Sequence, residues 1–244
     1  MELLIIIFLI ITILVIRFIY QINIKEIKQI GENNKKLDEI VKKYPSNIEI
    51  CKSILKKLNN EKVEIQEDKK ANNCLYIAVS DKILIANMRD SFTRIQTIAH
   101  ECLHSVQDRR ILLFNFIYSC IYLACFYIAV ILGFFRVIHN KTAFLSMFII
   151  MGYIYYFIRS YLENDAMIKA RFMAKEYFED EKISDKQEIK KIVDEYDKLN
   201  NIGIKTVNYS LFFNTTIKTI ILSLIFYIRW VIYEYLSKCI FKQC

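Results

Sequence analysis

The feature that most limits how this chain can fold is an apolar run, Ile111 to Phe135, without a single charged residue. A helix rises 1.5 Å per residue, so about 20 apolar residues cross the hydrocarbon of a bilayer. A closed barrel also spans membranes but needs many turns, and this chain has four glycines and one proline. The run therefore predicts a transmembrane helix in a mainly α-helical, polytopic membrane protein.

Three further apolar runs flank the first, at Leu3–Tyr20, Thr142–Leu162 and Val207–Leu236. We expect the earliest to be an uncleaved anchor rather than a signal peptide, because Glu2 stands where basic residues are usual and no small-residue cleavage site follows. The runs on either side of residues 136–141 predict a transmembrane helical hairpin. The last run is interrupted by charges, so it either spans or lies in the interface, and we favour a span.

These runs divide the chain into five segments. They are an N-terminal transmembrane anchor (1–20), a cytosolic helical and β region (21–110), the transmembrane hairpin (111–162), two cytosolic helices (163–206), and a fourth apolar helix with its tail (207–244). Lys and Arg near span ends are more numerous in the two polar stretches than on the opposite side. The positive-inside rule therefore predicts an integral protein of a bacterial-type cell membrane, with both polar stretches in the cytoplasm.

Within the polar stretches the residue pattern predicts short elements. Apolar spacing indicates helices over 24–43, 47–59, 163–179 and 184–200, with Pro45 separating the first two. We expect the helix over 163–179 to be continuous with the third apolar run. Residues 61–73 are polar and predict a loop. The β-prone runs 75–79 and 83–86 predict a small β-hairpin, followed by a helix from Asp90 or Ser91 through about Arg110.

Charge and cysteine content indicate the kind of partner and the redox compartment to expect. The chain carries 34 Lys and Arg against 26 Asp and Glu, but it has no nucleic-acid-reading motif, and its basic residues alternate with acids along helices. We therefore expect membrane-surface charge and no nucleic-acid partner. The seven cysteines include no C-x-x-C pair, which is typical of free thiols in a reducing cytoplasm.

The residues that carry chemistry are His100, Glu101 and His104, which form an H-E-x-x-H pattern on a predicted helix. Positions i and i+4 place both imidazoles on one helix face, close enough to share a tetrahedral metal. A glutamate next to the first histidine can serve as the general base toward a water on that metal. The pattern predicts a zinc site, although two helix histidines without a metal remain the alternative.

A third ligand has to come from elsewhere. The remaining histidine, His139, lies in the connector between two spans, so we expect it on the opposite side of the membrane. Glu163 follows the third apolar run directly, and the hairpin returns the chain to the face that it left shortly after His104. We predict Glu163 as the carboxylate ligand, with an interfacial charge as the alternative.

Three further polar residues lie close to these positions in the sequence. Asp165 either accepts the free N–H of a ligating histidine or is an interfacial charge. Gln107 and Asp108 are expected to be plain polar surface at the membrane boundary.

Taken together, these motifs resemble the YugP-type neutral zinc metallopeptidases, and more distantly the HtpX and CAAX-processing membrane peptidases. The resemblance rests on Ala99-His-Glu-Cys-Leu-His-Ser-Val-Gln107, two following spans, and Glu163-Asn-Asp-Ala166. It implies zinc held by His100, His104 and Glu163, with Glu101 as the catalytic base. The family usually has glycine where Leu103 stands, which puts efficiency in doubt more than metal binding.

The expected function is therefore hydrolysis of peptide bonds in peptide or protein substrates, including membrane-associated ones. We expect the edge of the β-hairpin around residues 83–87 to align an extended substrate by β-augmentation. The alternatives are a catalytically inactive or non-enzymatic membrane protein that retains the motif, and a zinc site for storage or sensing. The sequence does not indicate the oligomeric state.

Overall fold

The structure is a computed structural model that describes residues 2–22, 34–68, 71, 73–88 and 91–241. Within these residues it is mainly helical, with one small sheet, as expected. The helices are α1 (Glu2–Tyr20), α2 (Lys35–Lys42), α3 (Asn47–Lys57), α4 (Arg94–His104), α5 (Arg109–Phe134), α6 (Lys141–Glu181) and α7 (Lys186–Phe241), and the strands are β1 (Glu64–Asp68), β2 (Leu75–Ile77) and β3 (Lys82–Ala86). The start of the predicted helix over 24–43 and the Asp90 cap lie outside the described residues.

Four helices, α1, α5, α6 and α7, are long and apolar enough to cross a membrane by length and composition. They correspond to the four apolar runs of the sequence. The chain forms two compact units, which are described separately: an apolar unit (1–21, 115–159 and 208–244) and a mixed unit (22–114 and 160–207). Helices α5, α6 and α7 each contribute one segment to each unit.

In the apolar unit, α5 and α6 pack as the antiparallel hairpin that the sequence predicts. The Tyr118 hydroxyl donates to the Met151 carbonyl at 3.1 Å, and the Tyr122 and Phe148 rings stack with centroids 4.9 Å apart. At Gly152 a Cβ would lie 2.5 Å from Cγ2 of Thr215. A glycine at this position therefore lets α7 approach α6 closely, as small residues do between membrane helices.

Helix α7 differs from the expectation. The sequence predicted one helix over 184–200 and a separate apolar helix from 207, but a single helix runs from Lys186 to Phe241. Residues 201–206 contain one glycine, Gly203, and no proline that would break the backbone hydrogen bonding, so the helix can continue through them. Two basic residues of its apolar half, Lys218 and Arg229, lie over aromatic rings, with Nζ of Lys218 5.2 Å from the Tyr122 centroid. Such cation–π contacts reduce the cost of a charge in an apolar surrounding.

The sheet of the mixed unit has the strand order β1-β3-β2. The predicted hairpin is confirmed, because β2 pairs antiparallel with β3, with Tyr76 opposite Ile83. The predicted loop over 61–73 is wrong, because β1 forms there and pairs parallel to β3. Its sequence, Glu-Ile-Gln-Glu-Asp, has no apolar alternation that would reveal a strand. The prediction that the edge around 83–87 aligns a substrate is also wrong, since β3 is the central strand.

The motif helix α4 is shorter than the sequence suggested. It ends at His104 rather than near Arg110. The chain turns at residues 105–108, and α5 starts anew because the Asp108 carboxylate accepts the Arg110 main-chain N–H at 2.8 Å. At the end of α4, the Asn60 side-chain amide donates to the Ser105 carbonyl at 3.0 Å. This break places Gln107 on a turn instead of on the motif helix.

At the start of α4, the fully buried Arg94 ties the helix to the preceding segment. Its guanidinium donates to three main-chain carbonyls and one side-chain amide oxygen at 2.7–3.0 Å, those of Val41, Tyr44, Pro45 and Asn47. The planar fork of donors suits this cluster of acceptors better than an ammonium group would. Arg94 thus fixes the position of the motif helix.

Replacing Arg94 by methionine should lower the free energy of unfolding by about 3 kcal/mol or more, because several buried acceptors lose a charged donor. Replacement by lysine should restore only part of this loss, since one ammonium cannot reach all four acceptors. Thermal unfolding of the detergent-solubilised protein measures both changes. A methionine variant that unfolds at the wild-type temperature would contradict the assignment.

Candidate metal centre

The two motif histidines lie on adjacent turns of α4 with their ring nitrogens facing each other. Nε2 of His100 and Nε2 of His104 are 3.1 Å apart, and the ring planes cross at 85°. The i, i+4 spacing on a regular helix produces this arrangement directly. The sequence prediction that both imidazoles share one site agrees with this geometry.

Glu163 of α6 reaches the same point. Its Oε2 lies 3.4 Å from Nε2 of His100 and 3.8 Å from Nε2 of His104. Ala166 and Ala170, which follow on α6, are buried in the core of the mixed unit and leave room for close helix packing. The structure therefore brings Glu163 to the histidines, as the sequence predicted.

These three residues could hold a metal ion. Ligand atoms about 2.0–2.1 Å from a tetrahedral metal lie about 3.3–3.4 Å apart, and the three observed separations, 3.1, 3.4 and 3.8 Å, bracket that value. The side chains of His100 and Glu163 keep 19% and 12% of their surface exposed. Three ligands with access from outside fit a site that retains an open coordination position.

Glu101 lies beside this group and is held by the sheet. Its Oε2 accepts the main-chain N–H of Tyr76 on β2 at 2.7 Å. Burial raises the pKa of Glu101, while the two histidines act in the opposite direction. A buried carboxylate with a raised pKa next to a candidate metal centre is a suitable proton acceptor. The sequence did not indicate that Tyr76 contacts Glu101, because Tyr76 donates through its main-chain N–H, which nearly every residue type has.

The expectation for the two outer polar residues needs correction. Asp165 does not accept a histidine N–H directly, and Gln107 is not plain surface. Nδ1–H of His104 donates to Oε1 of Gln107 at 2.8 Å. The Gln107 amide in turn donates to the Asp165 carboxylate at 3.0 Å and to the Leu162 carbonyl at 2.9 Å.

Gln107 thus orients His104 so that Nε2 is left for a metal, as outer hydrogen-bond partners of ligating histidines commonly do. Asp165 acts one step further out and also pairs with Lys169 at 2.6 Å. Burial opposes ionisation of Asp165, but the hydrogen bonds from Gln107 and Lys169 give it a lowered pKa. The sequence periodicity does not indicate the turn at residues 105–108, and this turn is what brings Gln107 to His104.

Leu103 stands at the motif position where glycine was expected, and its side chain packs in the protein core. Leu103 is 5% exposed and belongs to the hydrophobic core of the mixed unit, as does Cys102. The Cys102 sulfur lies 3.5 Å from that of Cys51 on α3. The bulky side chain at position 103 is therefore accommodated in the core.

Replacing Gln107 by alanine should weaken metal binding about 10–100-fold, because His104 loses the partner that sets its tautomer and orientation. Competition with a chelating dye, using Zn²⁺ as the added metal, measures the change. Gln187→Ala, which removes an exposed amide at the start of α7, is the matched control and should leave affinity unchanged. Equal affinity of the two variants would mean that Gln107 plays no part in the site.

Comparisons with protein-family models, curated proteins and solved structures find no match to this chain. The resemblance noted from the motifs therefore has no support beyond the motifs themselves. What the site can do has to be argued from its own residues and their geometry.

Proposed function

We propose that this chain is a membrane-bound, zinc-dependent metalloendopeptidase of the YugP type. The observation that carries the proposal is the convergence of His100, His104 and Glu163 within 3.8 Å of one another, with Glu101 adjacent. Two imidazoles and one carboxylate, with the glutamate of the motif beside them, form the His₂Glu set typical of metallopeptidases. The three proposed ligands come from two helices that the fold brings together.

Zinc is the metal that best suits these donors. Imidazole nitrogens with one carboxylate form a borderline donor set, whereas magnesium and calcium prefer oxygen-only sites. When bound, zinc lowers the pKa of a water molecule and polarises the substrate carbonyl. His104 is held for this task by Gln107, which fixes the imidazole tautomer.

Glu101 is the proposed general base. Its carboxylate accepts the proton of the attacking water and then donates it to the amine that leaves as the peptide bond breaks. The Tyr76 N–H occupies one oxygen, Oε2, and the other oxygen is the one that we assign to proton transfer. In the metal-free protein, burial raises the pKa of Glu101, and a carboxylate with a perturbed pKa beside a candidate metal centre is typical of a residue that transfers protons.

The membrane setting is part of the proposal. The four helices of sufficient length and apolarity support an integral membrane protein. In the sequence, the motif and Glu163 both adjoin the ends of proposed spans. The Lys and Arg distribution favours the cytoplasmic side. We therefore propose a site at the cytoplasmic membrane surface that acts on peptides or on membrane-associated proteins.

Metal analysis and a protease assay on the detergent-purified full-length protein test the function. We expect near-stoichiometric zinc and cleavage of an unfolded carrier protein, with loss of cleavage on chelation and recovery on adding zinc. Protein that binds no zinc would support the non-enzymatic alternative. Protein that binds zinc but cleaves nothing would instead support a storage or sensing site.

A further inference from the structure

A cavity of about 380 Å³ adjoins the candidate metal centre within the mixed unit. His100 and Glu163 form part of its wall, so whatever occupies the cavity lies next to the proposed ligands. The rest of the wall comes from α4 with its N-cap residue, from α6 and from α7, and includes Thr93, Gln96, Thr97, Met167, Ala170 and Asn200. The volume is near the lower end of the range for ligand pockets, about 300–1,000 Å³. It therefore suits one bulky side chain better than a long segment.

The wall of the cavity carries no ionisable side chain apart from those of His100 and Glu163. Both threonine hydroxyls already have partners. The Thr97 hydroxyl donates to the Thr93 carbonyl at 3.1 Å, and the Thr93 hydroxyl lies 2.7 Å from that of Ser91. Their contribution to the lining is therefore less polar than the residue type suggests.

A charged side chain entering this partly open cavity would lose part of its hydration, and it would find the neutral amides of Gln96 and Asn200 but no opposite charge away from the metal centre. That loss is costly, because buried charges need partners. An uncharged apolar side chain incurs no such penalty and gains contact with Met167 and Ala170. The lining therefore selects against charge and for apolar bulk.

We infer that this cavity is the pocket that receives an uncharged, bulky apolar side chain of the substrate, from a residue close to the bond that is cleaved. The inference rests on the proposed peptidase function. It names the substrate class of that site as segments with a large apolar residue near the cleaved bond. It also assigns Thr93, at the opposite end of α4 from His104, as a residue that sets specificity.

Thr93 allows a clean test of charge selection. It is the N-cap residue of α4, and its side chain makes no capping hydrogen bond. Aspartate and asparagine are both favourable at helix N-termini, so neither should disturb the helix. They share one shape and differ in charge, which makes Thr93→Asn the matched control for Thr93→Asp. Position 93 is also seven residues from His100, so the change does not touch the ligands.

The experiment uses quenched fluorescent peptides that are identical except for one residue, which is Leu, Phe, Asp or Lys. Wild-type protein should cleave the Leu and Phe peptides at least about 10-fold more efficiently, in kcat/KM, than the Asp and Lys peptides. Thr93→Asp should raise cleavage of the Lys peptide relative to the Asp peptide by a similar factor. Thr93→Asn should keep the wild-type order. Mass spectrometry of the products identifies the bond cleaved.

Binding of the same peptides to Glu101→Gln protein, followed by fluorescence anisotropy, separates the pocket from the chemistry. The same ranking in binding without cleavage by the wild type would overturn the peptidase and keep the pocket preference. Cleavage of all four peptides with equal kcat/KM would overturn the assignment of the pocket but would leave the proposed peptidase function standing. An unaltered ranking in Thr93→Asp would also overturn the pocket, and absence of both binding and cleavage would overturn both.

Discussion

Replacing Glu101 by glutamine should lower the rate of peptide hydrolysis by about 10²–10⁴-fold, the usual contribution of a general base, while zinc stays bound. Glutamine keeps the shape of the side chain, and its oxygen can still accept the Tyr76 N–H that Glu101 accepts at 2.7 Å. What it cannot do is take a proton from water. The three proposed ligands are untouched, so the metal content should equal that of the wild type.

The metal-free stability of this variant provides an internal control. Burial raises the pKa of Glu101 in the folded state, so its ionisation opposes folding. That penalty is absent below the unfolded-state pKa and grows as the pH rises towards and through the raised folded-state pKa. Metal-free Glu101→Gln protein should therefore be at least as stable as metal-free wild type at neutral pH. Wild-type activity in a variant with full zinc content would exclude Glu101 as the base.

The second large effect is expected at Glu163. Replacing it by alanine should weaken zinc binding by more than 100-fold, beyond the range for outer-shell changes, because one of three proposed ligands is lost. The carboxylate lies 3.4 and 3.8 Å from the two histidine Nε2 atoms, and no other carboxylate of the described residues joins this group. Zinc content and hydrolysis should fall together.

Glu176→Ala is the matched control for Glu163→Ala. Glu176 lies on the same helix, and its side chain is 58% exposed near Lys57, away from the histidines. Its removal should leave zinc content unchanged. Glu163→Gln retains side-chain volume and guards against simple misfolding, and it should also bind zinc weakly. Full zinc binding by both Glu163 variants would remove this residue from the ligand set.

The fold and the site were predictable from the sequence to different degrees. Two histidines four residues apart on a helix lie on the same face, so the pairing of His100 with His104 could be predicted once the segment was recognised as helical. The approach of Glu163 to the histidines was also predictable, because a helical hairpin brings the residue after its second helix back near the residue before its first helix. The role of Gln107 was not predictable, because it depends on the turn after His104 and on hydrogen bonds to Leu162 and Asp165.

Hydropathy and periodicity are properties of neighbouring residues, and they determined the apolar helices, the motif helix and the hairpin of β2 and β3. Tertiary structure decided what depends on partners distant in the chain. It formed β1 from a stretch without alternation, because pairing with β3 satisfies its main-chain groups. It also joined Glu101 to the Tyr76 N–H and linked His104 through Gln107 to Asp165. Such hydrogen bonds exist only after separate segments have packed, so no local pattern in the sequence reveals them.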